Sequence, residues 1–210
     1  MLNGYTFSNI EYFRDDESVF GCLDFSLAPG RMLVVEGANG SGKTTLLRVV
    51  AGFLDMAEGT VEHDGQRWPV SRFHEQQPLA YAGHRAGFKD DLTVLENLHF
   101  LTALHEGDPS RIPAVVQRVG LWGWEHNLGR ALSAGQRKRL ALANLLLHPA
   151  PVWLMDEPFA NLDGQGIALV NALIAEHLQQ GGMLMTTSHG TFPLDHPGLE
   201  RLRLGGGDTA

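Results

Sequence analysis

The glycine-rich segment 37–44 constrains the fold of this chain more than any other part of the sequence. It reads Gly-Ala-Asn-Gly-Ser-Gly-Lys-Thr, which matches the phosphate-binding P-loop pattern. The apolar run Met32–Glu36 before it predicts a buried strand, and helical spacing of apolar residues over 44–53 predicts a helix after it. Strand, glycine loop and helix in this order predict a site for the phosphate groups of a nucleotide.

The residue types in this loop suit phosphate chemistry. Glycines let backbone N–H groups turn toward phosphate oxygens, and the start of the following helix adds its positive end. Lys43 supplies a positive charge to the terminal phosphates, and the Thr44 hydroxyl is a hard oxygen donor suited to Mg²⁺. The expected nucleotide contacts are Gly37, Ala38, Asn39, Gly40, Ser41, Gly42, Lys43, Thr44 and Thr45.

Two adjacent carboxylates follow the apolar segment Val152–Met155. Ligands of parallel sheets bind beyond the carboxyl ends of the strands, so Asp156 and Glu157 are expected to face the P-loop. We assign Asp156 to the metal together with Thr44, and Glu157 to orienting and polarising the attacking water. Taken alone, the two acids could simply begin a loop, but the P-loop favours the catalytic interpretation.

The remaining patterns alternate short strands with helices. Asp64-Gly65 lies between two strand patterns and predicts a hairpin, and 183–187 predicts another buried strand. A helical pattern from 92 to about 121 is divided into two pieces at 108–110 and Pro113. A second helix is predicted over 133–148, with Ser133 as N-cap and Gln136 completing a capping box. A third is predicted over about 166–179. Together they predict an α/β fold with a P-loop NTPase core, a largely parallel sheet and two attached lobes.

Composition limits the partners and the location of the protein. The 210 residues carry a formal charge of −8, which argues against nucleic acid as a partner. Cys22 is the one cysteine, so no internal disulfide is possible. The N-terminus does not resemble a signal peptide, and no apolar run approaches the roughly 18 residues of a membrane span. We therefore expect a cytoplasmic protein that reaches a membrane only through another chain.

Three further segments give a family resemblance. Residues 132–136, Leu-Ser-Ala-Gly-Gln, resemble the signature sequence of ABC ATPases and precede Asp156 at the spacing usual in that family. Segment 161–163 resembles the D-loop, and His189, after the last predicted strand, resembles the switch histidine. With the P-loop and the acidic strand end, these segments occur in family order. The resemblance implies the ABC ATPase architecture: a RecA-like core with an antiparallel β lobe and a helical lobe.

The resemblance also implies ATP and Mg²⁺ as ligands and a head-to-tail pair of copies with ATP between them. Ser133, Gly135 and Gln136 would contact the nucleotide held by the P-loop of the second copy, and Asp163 would act across the same interface. Glu157 and His189 would be the catalytic residues, with His189 contacting the γ-phosphate.

Adenine stacks on a side chain near the N-terminus in this family. The spacing to the P-loop assigns that role to Phe13 or Arg14, with Tyr12 as a further candidate.

The expected layout is a single ABC ATPase domain over 1–210, with the β lobe within about 1–81 and the helical lobe at about 84–150.

His84 occupies the position at which most ABC ATPases carry glutamine, which puts glutamine-type Mg²⁺ coordination in doubt. A similar Gly-His segment, followed by a stretch like 87–100, is typical of the cytochrome c biogenesis haem-exporter ATPases. That resemblance implies a peripheral subunit at the cytoplasmic face of the inner membrane, working with membrane-spanning transporter subunits. Direct haem binding is not expected, because haem chemistry in such systems belongs to the periplasmic side.

Other functions remain open at this point. The chain could drive an exporter of a different substrate, since neither the substrate nor the direction of transport is encoded here. Soluble ABC proteins that act on DNA or ribosomes usually carry two ATPase domains or a long insertion, and this chain has neither. Glu157 and His189 disfavour a non-hydrolysing regulatory module, and a P-loop kinase would lack segment 132–136.

Overall fold

Two β-sheets of different type organise the chain in a computed structural model. One sheet has four antiparallel strands and the other has five parallel strands. The structure describes residues 4–54, 57–76, 78–83, 87–148, 150–188 and 192–205.

Strands and helices are interspersed along the described chain. The strands are β1 (Tyr5–Arg14), β2 (Glu17–Leu27), β3 (Met32–Glu36), β4 (Glu58–His63), β5 (Gln66–Pro69), β6 (Leu79–Ala82), β7 (Val152–Met155), β8 (Met183–Thr187) and β9 (Leu199–Arg203). The helices are α1 (Lys43–Val50), α2 (Phe73–Gln76), α3 (Val94–Leu104), α4 (Ile112–Arg118), α5 (Ala134–Leu147) and α6 (Gly164–Gln179). Within these described residues, none of the helices is long and apolar enough to cross a bilayer.

The antiparallel sheet has the strand order β2-β1-β4-β5. Its β4–β5 hairpin confirms the turn predicted at Asp64-Gly65: both residues have positive φ, 51° and 75°, as a two-residue hairpin turn requires. The sequence did not predict β1 and β2 individually. Register shifts interrupt their pairing, and Asn9 and Cys22 have positive φ within the strands, so the alternation of apolar and polar residues is irregular.

The parallel sheet has the order β6-β7-β8-β3-β9, and β3, β7 and β8 confirm the predicted strands. Alternate residues of β3 enter two different cores. Met32 and Val34 pack with the helices α3 to α6, whereas Leu33 and Val35 pack with α1 and the antiparallel sheet. Because both faces are covered, these strands read as continuous apolar runs.

The helix boundaries confirm part of the predicted pattern and correct the rest. Ser133 caps α5 in a capping box with Gln136, as predicted: Ser133 Oγ accepts from the Gln136 N–H at 3.3 Å. The predicted division of 92–121 into two helices is confirmed by α3 and α4, but the break lies before Pro113. Pro113 itself is in the first turn of α4, where a missing N–H costs no helical hydrogen bond. The helix predicted to reach residue 53 ends at Val50, and Gly52 follows with a φ of 72°.

Two stacked histidines join the ends of α3 and α5. His105 and His148 are the C-cap residues of these helices, and their ring centroids lie 3.9 Å apart with an angle of 9° between the planes. Burial lowers the pKa of His105, and burial together with the charge of His105 lowers the pKa of His148 to about 4. The folded chain therefore favours two neutral rings.

This pair should make the stability of the fold depend on pH. Between about pH 4 and the ordinary histidine value of 6.5, the unfolded chain binds more protons than the folded chain, so stability should fall as pH falls through this range. His148→Phe keeps an aromatic ring but cannot be protonated, so its free energy of unfolding should fall less. Urea denaturation at several pH values measures this, with His99→Phe on the exposed face of α3 as control. Equal pH dependence in the wild type and His148→Phe would contradict the assignment.

Candidate active site

The P-loop connects β3 to α1 and closes tightly over the start of the helix. Gly42 is the N-cap of α1 with a φ of 92°, and a Cβ there would lie 3.0 Å from side-chain atoms of Val19 and Phe20. At Gly37, with a φ of 154°, a Cβ would lie 2.5 Å from Ser41 Oγ. Both positions therefore need glycine, and the loop leaves its backbone accessible to a ligand.

The Lys43 side chain folds back over this loop. Its Nζ donates to the carbonyl oxygens of Gly37 and Ala38 at 2.7 and 2.8 Å, and the residue is only 6% exposed. The ammonium group therefore lies against the loop that precedes α1. This arrangement is suited to a polyanion.

Asp156 lies at the centre of the site and is 3% exposed. Thr44 Oγ1 lies 3.1 and 3.0 Å from its two carboxylate oxygens, and Thr187 Oγ1 donates to Oδ1 at 2.7 Å. The Asp156 N–H donates to the Ala82 carbonyl at 2.8 Å, which fixes the end of β7 against β6. A hydroxyl and a carboxylate so close together are hard oxygen donors of the kind that Mg²⁺ prefers, so Thr44 and Asp156 fit such an ion.

Thr187 is a site residue that the sequence did not identify. Its hydroxyl also accepts a hydrogen bond from the Glu157 N–H at 2.9 Å, so one side chain contacts both acidic residues. The available signal was a hydroxyl residue at the end of β8, the strand that pairs with β7. A pattern of residue types alone does not separate this threonine from its neighbour Thr186.

Glu157 begins the turn after β7 in the left-handed region, with a φ of 49°. Its carbonyl oxygen accepts a hydrogen bond from Lys138 Nζ on α5 at 2.9 Å. A non-glycine residue in this conformation is uncommon and is frequently found at functional sites.

A cavity of about 720 Å³ brings the P-loop and Glu157 together. Its volume lies in the range of small-molecule sites. It is bounded by the β1–β2 turn and the start of β2, by the P-loop, by α1 and by the turn after β7. The lining residues are Arg14, Asp15, Glu17, Ser18, Val19, Asn39, Gly40, Gly42, Lys43, Thr44, Thr45 and Glu157.

The three candidates for adenine stacking lie in different surroundings. Arg14 lines the cavity, whereas Phe13 is 44% exposed and lies outside the lining. Tyr12 is buried beside Phe20, with ring centroids 6.3 Å apart. Of the three, Arg14 is the residue that the fold brings to the cavity.

The other predicted site residues lie elsewhere or outside the described part of the chain. Ser133, Gly135 and Gln136 form the start of α5, and Asp163 caps α6 by accepting from the Gly166 N–H at 2.7 Å. Among the described residues that line the cavity, none belongs to segments 132–136 or 161–163. His84 and His189 lie outside the described residues.

Comparison with known proteins identifies the family. The ABC transporter family model matches residues 20–160. The cytochrome c biogenesis ATP-binding export protein CcmA of Xanthomonas axonopodis pv. citri is 51% identical over 188 residues, covering 88% of this chain and 86% of that protein. This chain belongs to the CcmA group of the ABC transporter family. The Methylococcus capsulatus protein of the same name is 48% identical, covering 86% of this chain and 88% of its own.

Solved structures of the family show the same fold. An ABC transporter ATP-binding protein from Pyrococcus furiosus superposes with a TM-score of 0.79 at 20% identity, covering 96% of this chain and 98% of its own. The ATP-binding subunit of another ABC transporter gives 0.76 at 20% identity, covering 90% of this chain and 80% of its own. The predicted α/β architecture with an antiparallel β lobe and a helical lobe is therefore confirmed.

The Thr187 hydroxyl should stabilise the site. Thr187→Val keeps the approximate shape of the side chain, but the buried Asp156 loses a donor and the Glu157 N–H loses its acceptor. The free energy of unfolding should fall by about 1–3 kcal/mol, measured by urea denaturation. Thr187→Ser retains the hydroxyl and should lose much less, so equal losses in the two variants would argue against this role.

Proposed function

We propose that this chain is the ATP-hydrolysing subunit of an ABC transporter that serves cytochrome c biogenesis. The observation that carries the proposal is the shared cavity of the P-loop and Glu157, with Asp156 buried beside Thr44, in a chain of the CcmA group. The curated relatives are named as ATP-binding export proteins. By that relationship the chain would lie at the cytoplasmic face of the inner membrane and drive haem delivery through other subunits.

The triphosphate binds along the P-loop, where backbone N–H groups and the positive end of α1 face it. Lys43 contacts the terminal phosphates, and its carbonyl contacts to Gly37 and Ala38 hold the ammonium at the loop. Thr44 and Asp156 would hold Mg²⁺, which would neutralise charge on the phosphates. Arg14 stacks on the adenine from the end of β1.

Glu157 orients and polarises the water that attacks the γ-phosphate. A general base must be held within hydrogen-bond reach of its water. The backbone contacts from Thr187 and Lys138 fix the Glu157 peptide at both ends, so its carboxylate starts from a defined position. His189 is assigned to the γ-phosphate, where it holds the same water.

A second copy of the chain completes the site. Ser133 is exposed at the start of α5, and a helix start is an anion-binding end. Ser133, Gly135 and Gln136 lie outside the lining of the cavity in their own chain. Their contact with nucleotide therefore requires another copy, packed head to tail. Asp163 acts across the same interface. ATP then favours the paired state, and hydrolysis removes that bias.

Membrane-spanning subunits dock on the helical lobe. Several large apolar side chains of this lobe are exposed, at 43% for Phe100, 61% for Leu104 and 69% for Trp122. Phe100 and Leu104 are four residues apart on α3 and therefore neighbours on its surface, and exposed apolar patches are typical of interaction surfaces. His84 lies at the entry to the lobe in sequence and is assigned to coupling. The proposed docking is tested by co-purification: the chain should co-purify with the CcmA-associated membrane subunits and not with the membrane subunits of other exporters.

Two substitutions separate nucleotide binding from hydrolysis. Lys43→Ala should lose ATP binding, because the charge at the terminal phosphates is removed. Glu157→Gln should still bind ATP but hydrolyse it roughly 100-fold or more slowly, since the general base is lost. Equilibrium dialysis with labelled ATP measures binding, and phosphate release measures hydrolysis. Light scattering with ATP should show that Glu157→Gln accumulates as a dimer. A Glu157→Gln variant with the wild-type rate would refute the assignment of the base.

The shared site can be tested at the start of α5. Ser133→Arg places a bulky side chain at the expected interface, so ATP should no longer drive dimer formation, while each copy still binds ATP. Ser110→Arg changes another exposed serine of the helical lobe and serves as the matched control. Loss of ATP binding by the Ser133→Arg monomer would mean that Ser133 acts within its own chain.

A further inference from the structure

Lys138 links α5 to the turn that carries Glu157. Its Nζ donates to the Glu157 carbonyl oxygen at 2.9 Å and lies 3.5 Å from the Asp156 carbonyl oxygen. The lysine is in the second turn of the helix that Ser133 begins. One side chain therefore connects the signature helix of the helical lobe to the acidic end of β7 in the core.

The residue held by this contact has a strained backbone. Glu157 has a φ of 49°, a conformation that non-glycine residues keep only where their surroundings hold it. The Thr187 hydroxyl accepts from its N–H at 2.9 Å, and the Lys138 ammonium donates to its carbonyl. Side chains from β8 and from α5 thus hold the two ends of the same residue.

The packing around Lys138 is open. A cavity of about 200 Å³ lies between α5, where Ala134 and Ala141 line it, and the turn at Ala160 and Asn161. Arg137 and Lys138 line the same cavity, so the lysine lies beside free volume between the helix and the turn. Phe159 and Leu162 pack the later part of the turn against the core, whereas the Glu157 carbonyl at its start is held by the hydrogen bond from Lys138.

The charges around Lys138 also favour a specific role over a solvated lysine. Burial lowers the pKa of the ammonium, while the carboxylates of Asp156 and Glu157 act in the opposite direction. A partly buried ammonium is unfavourable unless hydrogen bonds and opposite charges compensate it. Here the strand end supplies both.

We propose that Lys138 is a positioning residue for ATP hydrolysis. It holds Glu157 in its left-handed conformation and makes that conformation depend on the position of α5. The proposal rests on the function proposed above, in which Glu157 is the base and α5 meets the nucleotide of a second copy. When that contact displaces α5, the Lys138 ammonium moves relative to the Glu157 carbonyl, so placement of the base responds to pairing of the two copies.

Lys138→Met tests the proposal, because it removes the ammonium and keeps an apolar side chain of similar length. The kcat for ATP should fall roughly 10- to 100-fold, as expected for a displaced catalytic group. The KM for ATP and the Tm of Lys138→Met should stay close to those of the wild type. When Lys138→Met is combined with Glu157→Gln, ATP should drive dimer formation as it does in Glu157→Gln alone. Lys138→Arg retains a donor and should recover most of the lost rate.

Arg111→Met is the matched control. Arg111 Nη2 donates to the Leu146 carbonyl at 3.0 Å near the other end of α5, so this variant also loses one bond from a cation to a carbonyl. Its kcat should equal that of the wild type.

The outcomes separate this inference from the function on which it rests. If Glu157→Gln hydrolyses ATP at the wild-type rate, the proposed function is overturned, and the role of Lys138 with it. Hydrolysis that depends on Glu157 but is unchanged in Lys138→Met would overturn the role of Lys138 alone. If Lys138→Met loses kcat and Tm together and Lys138→Arg restores neither, the lysine is only structural. That result also overturns the proposal.

Discussion

The buried Asp156 carboxylate is the interaction on which the rest of the site depends. A carboxylate that is 3% exposed is unfavourable unless donors compensate it, and here the hydroxyls of Thr44 and Thr187 do so. The three residues come from the end of β7, the start of α1 and the end of β8. The relative positions of these elements are therefore tied to the geometry of the groups that we propose hold the metal and the phosphates.

The two cores give this cluster a rigid base. Alternate residues of the parallel strands pack with the helical lobe on one face and with α1 and the antiparallel sheet on the other. The carboxyl ends of β3, β7 and β8 meet at one edge, where the P-loop and the acidic turn begin. Binding residues placed on strand ends and helix starts are held more precisely than residues on long loops.

Sequence patterns reveal those parts of the fold and site that depend on residue type. The apolar runs 32–36, 152–155 and 183–187 predict β3, β7 and β8 at their observed bounds, because burial on both faces produces continuous apolar runs. The edge strand β9 has no such pattern, since its sequence is Leu-Glu-Arg-Leu-Arg. The P-loop and the acidic pair need particular side chains in a fixed order. Thr187 contacts Asp156, 31 residues away in the sequence, and Lys138 contacts the backbone carbonyl of Glu157, 19 residues away. Every residue has such a carbonyl, so a pattern of residue types does not reveal the Lys138 contact.

The two helix starts of the proposed site differ in a way that suits different roles. Gly42 has no side chain with which to cap α1, so the first turn of that helix faces the cavity beside Lys43. Ser133 and Gln136 cap α5 reciprocally and satisfy two of its first donors. The start of α5 can therefore remain exposed in a single copy and still offer the Gly135 N–H to a nucleotide held by another. A helix that is stable in both states can shift as a unit, and its lysine contact carries that shift to the acidic turn.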